Sequence, residues 1–405
     1  MRRRSIELSV VAAFVVLLIS RSVILPPWAS QVAPLLAGVL IFAGTVPHIR
    51  QFRIPQATLW VFALVATYVA ASAASGITDN FIKSLSIGFL WFMAFFVGIN
   101  VDDREKSRFY KSILIFAALE TGLAVCETLI GSADIRTLLA ATQDGTYTVR
   151  PNTILGPWTN RAQGTIGYPI PLGHFLAIAL AVVIFSALRL STLQRVLGGL
   201  VLFGGILLTG TRSGIAAAVA LIAAGVLFTQ RGKYSGLRFL VIVVLGAFAL
   251  IAAVTLLDED QLASDGSFTH RVGVLTSIGE ILRLPAERVL FGSGLNSHEG
   301  LFELGYLGTN GTFAVDNGFV TLLIYAGIFG LGSFFIITGL ALRRGTPDEV
   351  AIIAGSLTFS MTYDFVNWHL LATLFFGVVG LALSREPNGS LKEHSKNQYS
   401  MKRET

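Results

Sequence analysis

Charge is what this sequence has least of. Lysine, arginine, aspartate and glutamate make up 13% of its 405 residues, against roughly 25% in soluble domains. Too few polar groups remain to cover a water-facing surface, and the mean hydropathy of +0.70 points to lipid as the main solvent. Cysteine is almost missing. Cys126 stands alone, which excludes a disulfide framework and leaves the redox compartment open. The histidines lack HExxH or similar spacing and have no cysteines to join them, so no metal site is expected. A P-loop, a dinucleotide fingerprint and a nucleophile elbow are all absent. No cofactor is expected.

Apolar runs are what the chain has instead. A spanning helix needs about 20 apolar residues, and such stretches recur along almost the whole length. Hydropathy and punctuation predict an all-α polytopic membrane protein of about twelve transmembrane helices. They fall near 6–25, 30–47, 57–75, 82–101, 109–130, 170–188, 194–209, 213–229, 237–257, 317–342, 349–364 and 366–384. The last two are short and joined by Tyr363-Asp364-Phe365, so one bent hairpin is the alternative to two crossings. Arg2–Arg4 ahead of Leu8–Ile19 mimic a secretory signal, but Arg21 and the Pro26-Pro27-Trp28 turn follow where a cleavage site would stand. An uncleaved first span is the expectation.

The net charge of +6 could suggest nucleic acid, but its distribution fits membrane topology better, and no nucleic-acid partner is expected. With Arg2–Arg4 cytoplasmic, the alternate loops are the basic ones. They carry Arg50 and Arg53, then Arg104, Lys106, Arg108 and Lys111, then Arg189 and Arg195. Arg231, Lys233 and Arg238 follow, then Arg343 and Arg344, then the tail from Arg385. All lie on one side, as the positive-inside rule requires. Residues 1–405 are expected to form one membrane domain, with both termini cytoplasmic and 386–405 a disordered tail. Two longer segments, 131–169 and 258–316, fall on the opposite side as outer loops carrying short amphipathic helices.

Outer basic residues are nearly all arginine: Arg21, Arg136, Arg150, Arg161, Arg212, Arg271, Arg283 and Arg288, with Lys83 the exception. Arginine's planar fork suits bidentate recognition of phosphate and stays charged near lipid. Arg136, Arg150, Arg283 and Arg288 are expected to snorkel or to pair with outer acids such as Asp134, Asp258 and Asp260. Arg212 stands apart. In TGTRSG, residues 209–214, small neighbours let helices approach closely, and an ionisable group at such a junction is a functional candidate.

The first outer loop ends in TNRAQGTIGYPIPLG, residues 159–173. Its glycines permit close approach to a ligand, and its prolines fit a helix start. Neither explains Arg161. In the second loop, Val272, Leu275, Ile278, Ile281 and Leu282 recur at helical spacing and predict an amphipathic helix of about three turns, with Arg271 at its start. A Gly292-Ser293-Gly294 turn follows, and Asp316-Asn317 open the next long helix, where they suit an N-cap, a duty that does not exclude a catalytic role. His174, His270, His298 and His369 are placed outside; His48 and His394 are cytoplasmic and carry no signal. Glu120 and Glu127 are one heptad apart and share a helix face, which marks an internal polar contact with an unidentified partner.

Taken in order, these residues resemble the O-antigen ligase and O-antigen polymerase superfamily of bacterial surface-polysaccharide enzymes. The motifs are RxxGT (Arg161 to Thr165), TGTRSG, an early second-loop arginine, a GxG turn, and DNGxxxxLxxxGIxG (Asp316 to Gly330). The likeness covers roughly residues 110–345. It implies a metal-independent glycosyltransferase acting on an oligosaccharide carried by undecaprenyl pyrophosphate, in contact with membrane lipid and with flippase and chain-length regulator proteins. It further implies that Arg161 and Arg212, with Arg271 a weaker candidate, grip the pyrophosphate. Ligases carry a histidine before the Asn at the late helix; this chain has Asp316 there, which favours a polymerase. Asp316 and His298 are the candidates for the general base.

Three functions therefore remain: polymerisation of lipid-linked repeat units, ligation of a finished glycan to an acceptor, and a lipid-linked sugar flippase or other transporter. Transporters place polar groups near the midplane. Glu120 and Glu127 are the feature that favours one.

Overall fold

The computed structural model describes residues 4–19, 28–46, 54–130, 151–229, 273–308 and 315–384. Among the described residues, eight helices precede the second loop: α1 (Arg4–Ile19), α2 (Trp28–Thr45), α3 (Ala57–Ala74), α4 (Thr78–Asn100), α5 (Asp103–Val125), α6 (Pro169–Phe185), α7 (Thr192–Leu208) and α8 (Arg212–Thr229). Short helices α9 (Ile278–Ile281), α10 (Ala286–Phe291) and α11 (Ser297–Glu303) lie within it. The chain continues with α12 (Gly318–Arg344), α13 (Pro347–Ser360) and α14 (His369–Leu383).

By length and composition, α3, α4, α5 with its extension to Thr128, and α12 can each cross a membrane. Most of α1, α2, α6, α7, α8 and α14 forms shorter apolar helices. Helices occupy eleven of the twelve expected stretches, and the remaining one, 237–257, lies outside the described residues. The chain is a mostly helical membrane protein.

Small residues set the closest approaches. A Cβ on Gly98 would strike the Gly377 carbonyl, and one on Gly380 would strike that of Phe95, so α4 and α14 pack backbone to backbone. Trp91 sits between Tyr68 and Phe376, 5.2 Å from each ring centroid, and ties α3, α4 and α14 together.

Polar residues concentrate at the two ends of the bundle. At one end, α5, α7 and α13 all begin with capping boxes, built on Asp102/Glu105, Ser191/Gln194 and Thr346/Glu349. Lys106 there pairs with Asp348 at 2.8 Å and Glu349 at 2.6 Å. The Arg195 guanidinium donates to the carbonyls of Val183, Ile184, Ser186 and Leu188 at 2.6–3.0 Å. It thereby satisfies the orphan acceptors at the end of α6. The other end carries Asn152, Arg161, the 209–211 turn, Asn317 and the connection between α13 and α14.

One expectation about the loops is corrected and one is left open. Before α6, the described part of the first loop forms a bulged antiparallel hairpin of β1 (Pro151–Asn152) and β2 (Gly156–Asn160), and the loop's residues 131–150, where a short helix is also expected, lie outside the described residues. Its Pro, Thr, Gly and Trp residues suit a turn and short strands better than a helix. In the second loop the expected three-turn helix is broken at Ser277 and again after Ile281. Ser277 turns its hydroxyl back to the Gly273 carbonyl at 2.7 Å and accepts from the Gly308 amide at 3.0 Å. That local competition ends the helix.

The Gly292-Ser293-Gly294 turn has a structural partner that its sequence does not reveal. Inside α12, Gly327 adopts φ 65° and ψ −168°, which interrupts the helix. The Ile324 and Tyr325 carbonyls, freed by the break, accept from the amides of Ser293 at 2.7 Å and Gly294 at 3.2 Å. A Cβ at Gly327 would collide with the backbone of Leu290 and Gly292. Backbone from the loop thus replaces missing helix hydrogen bonds, as irregular structure within a membrane bundle demands.

Candidate functional site

The TGTR junction is a helix end, a tight turn and a helix start in four residues. Helix α7 closes at Leu208, Gly210 takes the left-handed conformation at φ 61°, and Arg212 begins α8. The carbonyls left over at the end of α7 are met by the first loop. Asn152 Nδ2 donates to Leu207 and Leu208 at 3.0 and 3.1 Å, and the Ala162 amide donates to Leu208 at 2.9 Å. Arg161 Nε donates to the Thr209 carbonyl at 3.0 Å, and the Thr153 hydroxyl to the Gly210 carbonyl at 2.9 Å. Arg161 therefore lies against the turn that carries Arg212, with its stem beside Gly210. Arg212 is exposed, and Arg161 half-buried.

Part of Arg161's role is structural, since a cation at a helix C-terminus is favoured by the backbone dipole. Arg212 has the opposite setting. It stands at the N-terminus of α8, where the helix dipole favours an anion.

Glu120 and Glu127 supply what the sequence left without a partner. Glu127 Oε2 accepts from the backbone amides of Gln163 at 2.7 Å and Gly164 at 3.2 Å. Glu120 Oε2 accepts from the Thr165 amide at 2.9 Å, and its other oxygen pairs with the Thr165 hydroxyl. Both carboxylates are buried. Glu127 lies in a single π-helical turn, Cys126–Ile130, which extends α5. The RAQGT segment is thus clamped from below just after Arg161. These glutamates hold a loop, which accounts for the polar feature that had favoured a transporter.

The connection between α13 and α14, residues 361–368, is the hub of the same end. Tyr363 Oη meets His174 Nδ1 at 2.6 Å, and Ser356 Oγ meets His174 Nε2 at 2.8 Å. His174 is a core histidine. Trp368 packs on Tyr168 with centroids 6.0 Å apart, which joins the hub to the first loop. Asn317 Nδ2 reaches the Met361 carbonyl at 3.5 Å. Asn317, not Asp316, caps α12, its Oδ1 accepting from the amides of Phe319 at 3.0 Å and Val320 at 3.1 Å. The capping duty is therefore separate from Asp316, which is half-buried and makes no hydrogen bond or ion pair among the described residues.

His298, on α11, places Nδ1 2.9 Å from Tyr325 Oη. Tyr325 in turn lies 3.4 Å from Asn367 Nδ2, which also binds Asp364. Burial lowers the pKa of His298, opposed by Glu299. Burial raises that of Asp364 from the ordinary carboxylate range to about 7, against the hydrogen bonds it accepts from Asn367 and Val366. Sequence reasoning missed Asp364, Asn367 and Tyr325 as a group because helix periodicity cannot show that a connector folds back onto a broken helix.

Arg271, Arg136 and Arg150 lie outside the described residues. Arg283 pairs with Glu280 at 2.7 Å on the surface, the bland role expected of it. A cavity of about 410 Å³ lies between α1, α4, α5 and α14 and is lined by neither Arg161 nor Arg212. It is an apolar crevice, with Arg108 and Lys111 among its lining.

The turn that carries Arg212 and the GxG turn seated in α12 belong to one stretch of chain. Residues 197–335 match the O-antigen ligase family model. No curated protein matches the chain. The O-antigen ligase match begins within α7 and ends within α12, so it contains Arg212, Arg271, His298 and Asp316. Arg161, Glu120 and Glu127 lie before it. The O-antigen ligase match bears out the resemblance read from the motifs.

Proposed function

We propose that this protein polymerises oligosaccharide repeat units carried on undecaprenyl pyrophosphate, at the outer face of the bacterial inner membrane. The observation that carries the reading is the attachment of Arg161 to the turn that presents Arg212 at the N-terminus of α8. Two guanidinium-bearing residues and a helix N-terminus at one junction suit a diphosphate.

In the reaction, a sugar hydroxyl of one repeat unit attacks the anomeric carbon of the next. The new C–O bond forms as the bond to the pyrophosphate oxygen breaks, and the leaving group takes the electron pair. Arg161 and Arg212 stabilise charge on that oxygen, and no metal is needed in this reading because they supply the positive charge. The acceptor hydroxyl's proton passes to Asp316, whose carboxylate is not spent on capping α12. A preorganised donor of this kind is worth about 3–4 kcal/mol of barrier.

A second reading, ligation of a finished glycan to an acceptor, draws support from the O-antigen ligase match itself. Asp316 standing where ligases carry a histidine favours the polymerase. Deletion of the protein separates the two: single lipid-linked units accumulate if it is a polymerase, long lipid-linked chains if it is a ligase. Arg161→Ala and Arg212→Ala are expected to remain folded and to halt glycan growth; normal polymer from a stably inserted double variant rejects both readings.

A further inference from the structure

We propose that His298 meets the glycan substrate as a neutral hydrogen-bond donor through Nε2–H, held in that tautomer by Tyr325, Asn367 and Asp364. The identity of the ligand rests on the functional reading above; the tautomer does not.

Asp364 anchors the chain of hydrogen bonds that ends at His298. Its carboxylate accepts from the Val366 amide at 3.1 Å and from the side chain of Asn367. An ionised carboxylate only accepts, so Asn367 turns its NH2 group, not its carbonyl, toward Asp364. The second N–H on that nitrogen faces Tyr325 Oη at 3.4 Å. With that donor on one side, the single phenol proton goes to the other neighbour, His298 Nδ1, at 2.9 Å. Nδ1 is then an acceptor, and in a neutral imidazole the proton resides on the other nitrogen.

Burial opposes a second proton on the ring. His298 is half-buried, and its Nε2 makes no hydrogen bond among the described residues. That nitrogen can donate to a sugar or phosphate oxygen but cannot take a proton from an attacking hydroxyl. His298 is thereby removed from the candidates for general base, and Asp316 is left in that role. Tyr325, Asn367 and Asp364 are positioning residues that act through His298.

The test is nitrogen NMR on the full chain in lipid nanodiscs, with ¹⁵N-labelled histidine and the His298 signal assigned by its loss in His298→Gln. Well above pH 7, where Asp364 is ionised, the wild type is expected to carry its proton on Nε2, and Tyr325→Phe to show a mixture of tautomers. A proton on Nδ1 of the wild type overturns the proposal, and this result alone decides if Tyr325→Phe does not fold. Glycan synthesis gives a second readout. His298→Gln keeps an amide donor near the Nε2 position and is expected to exceed His298→Ala by about tenfold, the worth of one hydrogen bond. Equal and deep loss in both variants contradicts the donor role. Absence of any glycan transfer by the wild type rejects the functional reading and leaves the tautomer result standing.

Discussion

Arg161 Nε donates to the carbonyl of Thr209 at 3.0 Å, three residues before Arg212. Through that bond the first loop and the α7–α8 turn become one unit. The glycine between Thr209 and Thr211 makes the fit possible. Gly210 has φ 61°, and a Cβ there would lie 2.9 Å from Arg161 Cγ and from Asn152 Oδ1.

Gly210→Ala is therefore expected to push Arg161 off the turn. A left-handed alanine costs roughly 1–2 kcal/mol before any clash is counted. Glycan product should fall about tenfold or more for that energy, while Gly204→Ala, with open space around its Cβ position, should leave it unchanged. Quantifying lipid-linked polymer from cells expressing each variant checks this.

Glu127→Gln should loosen the RAQGT segment without unfolding the protein. The lost charge is worth roughly 1.5–3 kcal/mol in hydrogen bonding. Amide exchange at Gln163 and Gly164 should accelerate by about 10- to 100-fold, with α4 and α14 unaffected. Unchanged protection at those two amides contradicts the clamp.

Gly327→Ala tests the seating of the second loop in α12. The added Cβ meets the backbone of Leu290 and Gly292, and φ is 65°. Strain at such a site costs on the order of 1–3 kcal/mol, so the thermal midpoint in detergent should drop. Gly332→Ala, in the same helix with nothing near its Cβ position, should leave it level or slightly raised.

Much of the architecture was legible because lipid forces it. Apolar runs such as those of α3, α4 and α12 have few other folds open to them, and Arg161, Arg212 and Asp316 stood out as polar residues at helix junctions. What could not be read were partnerships across the chain. Glu127 and Gln163 are separated by a loop, and their bond depends on where the first loop folds. The GSG turn looked like a weak motif because its partner, the break at Gly327, shows only as one glycine among several in an apolar helix. Asp364 was visible only as part of a short link, since nothing local reports that Asn367 and Tyr325 converge on it.

Asp364 also gives the stability a pH dependence. Its folded pKa of about 7 is raised by burial above the unfolded value, near about 3.9. A raised carboxyl pKa contributes stability that is full below the unfolded value and is lost as pH rises through the folded one. Between about pH 4 and 7 the thermal midpoint of the wild type should therefore decline relative to Asp364→Asn, and level off above that. Parallel curves for the two proteins contradict this.

The most direct test of the pyrophosphate site is binding of undecaprenyl pyrophosphate to the purified protein in nanodiscs. The account predicts measurable binding by the wild type and by Arg283→Ala, whose arginine is committed to Glu280 on the surface. It predicts binding weakened by about 100-fold or more in a folded Arg161→Ala/Arg212→Ala double variant, as expected when two charge-assisted contacts are lost. Wild-type affinity in that double variant contradicts it.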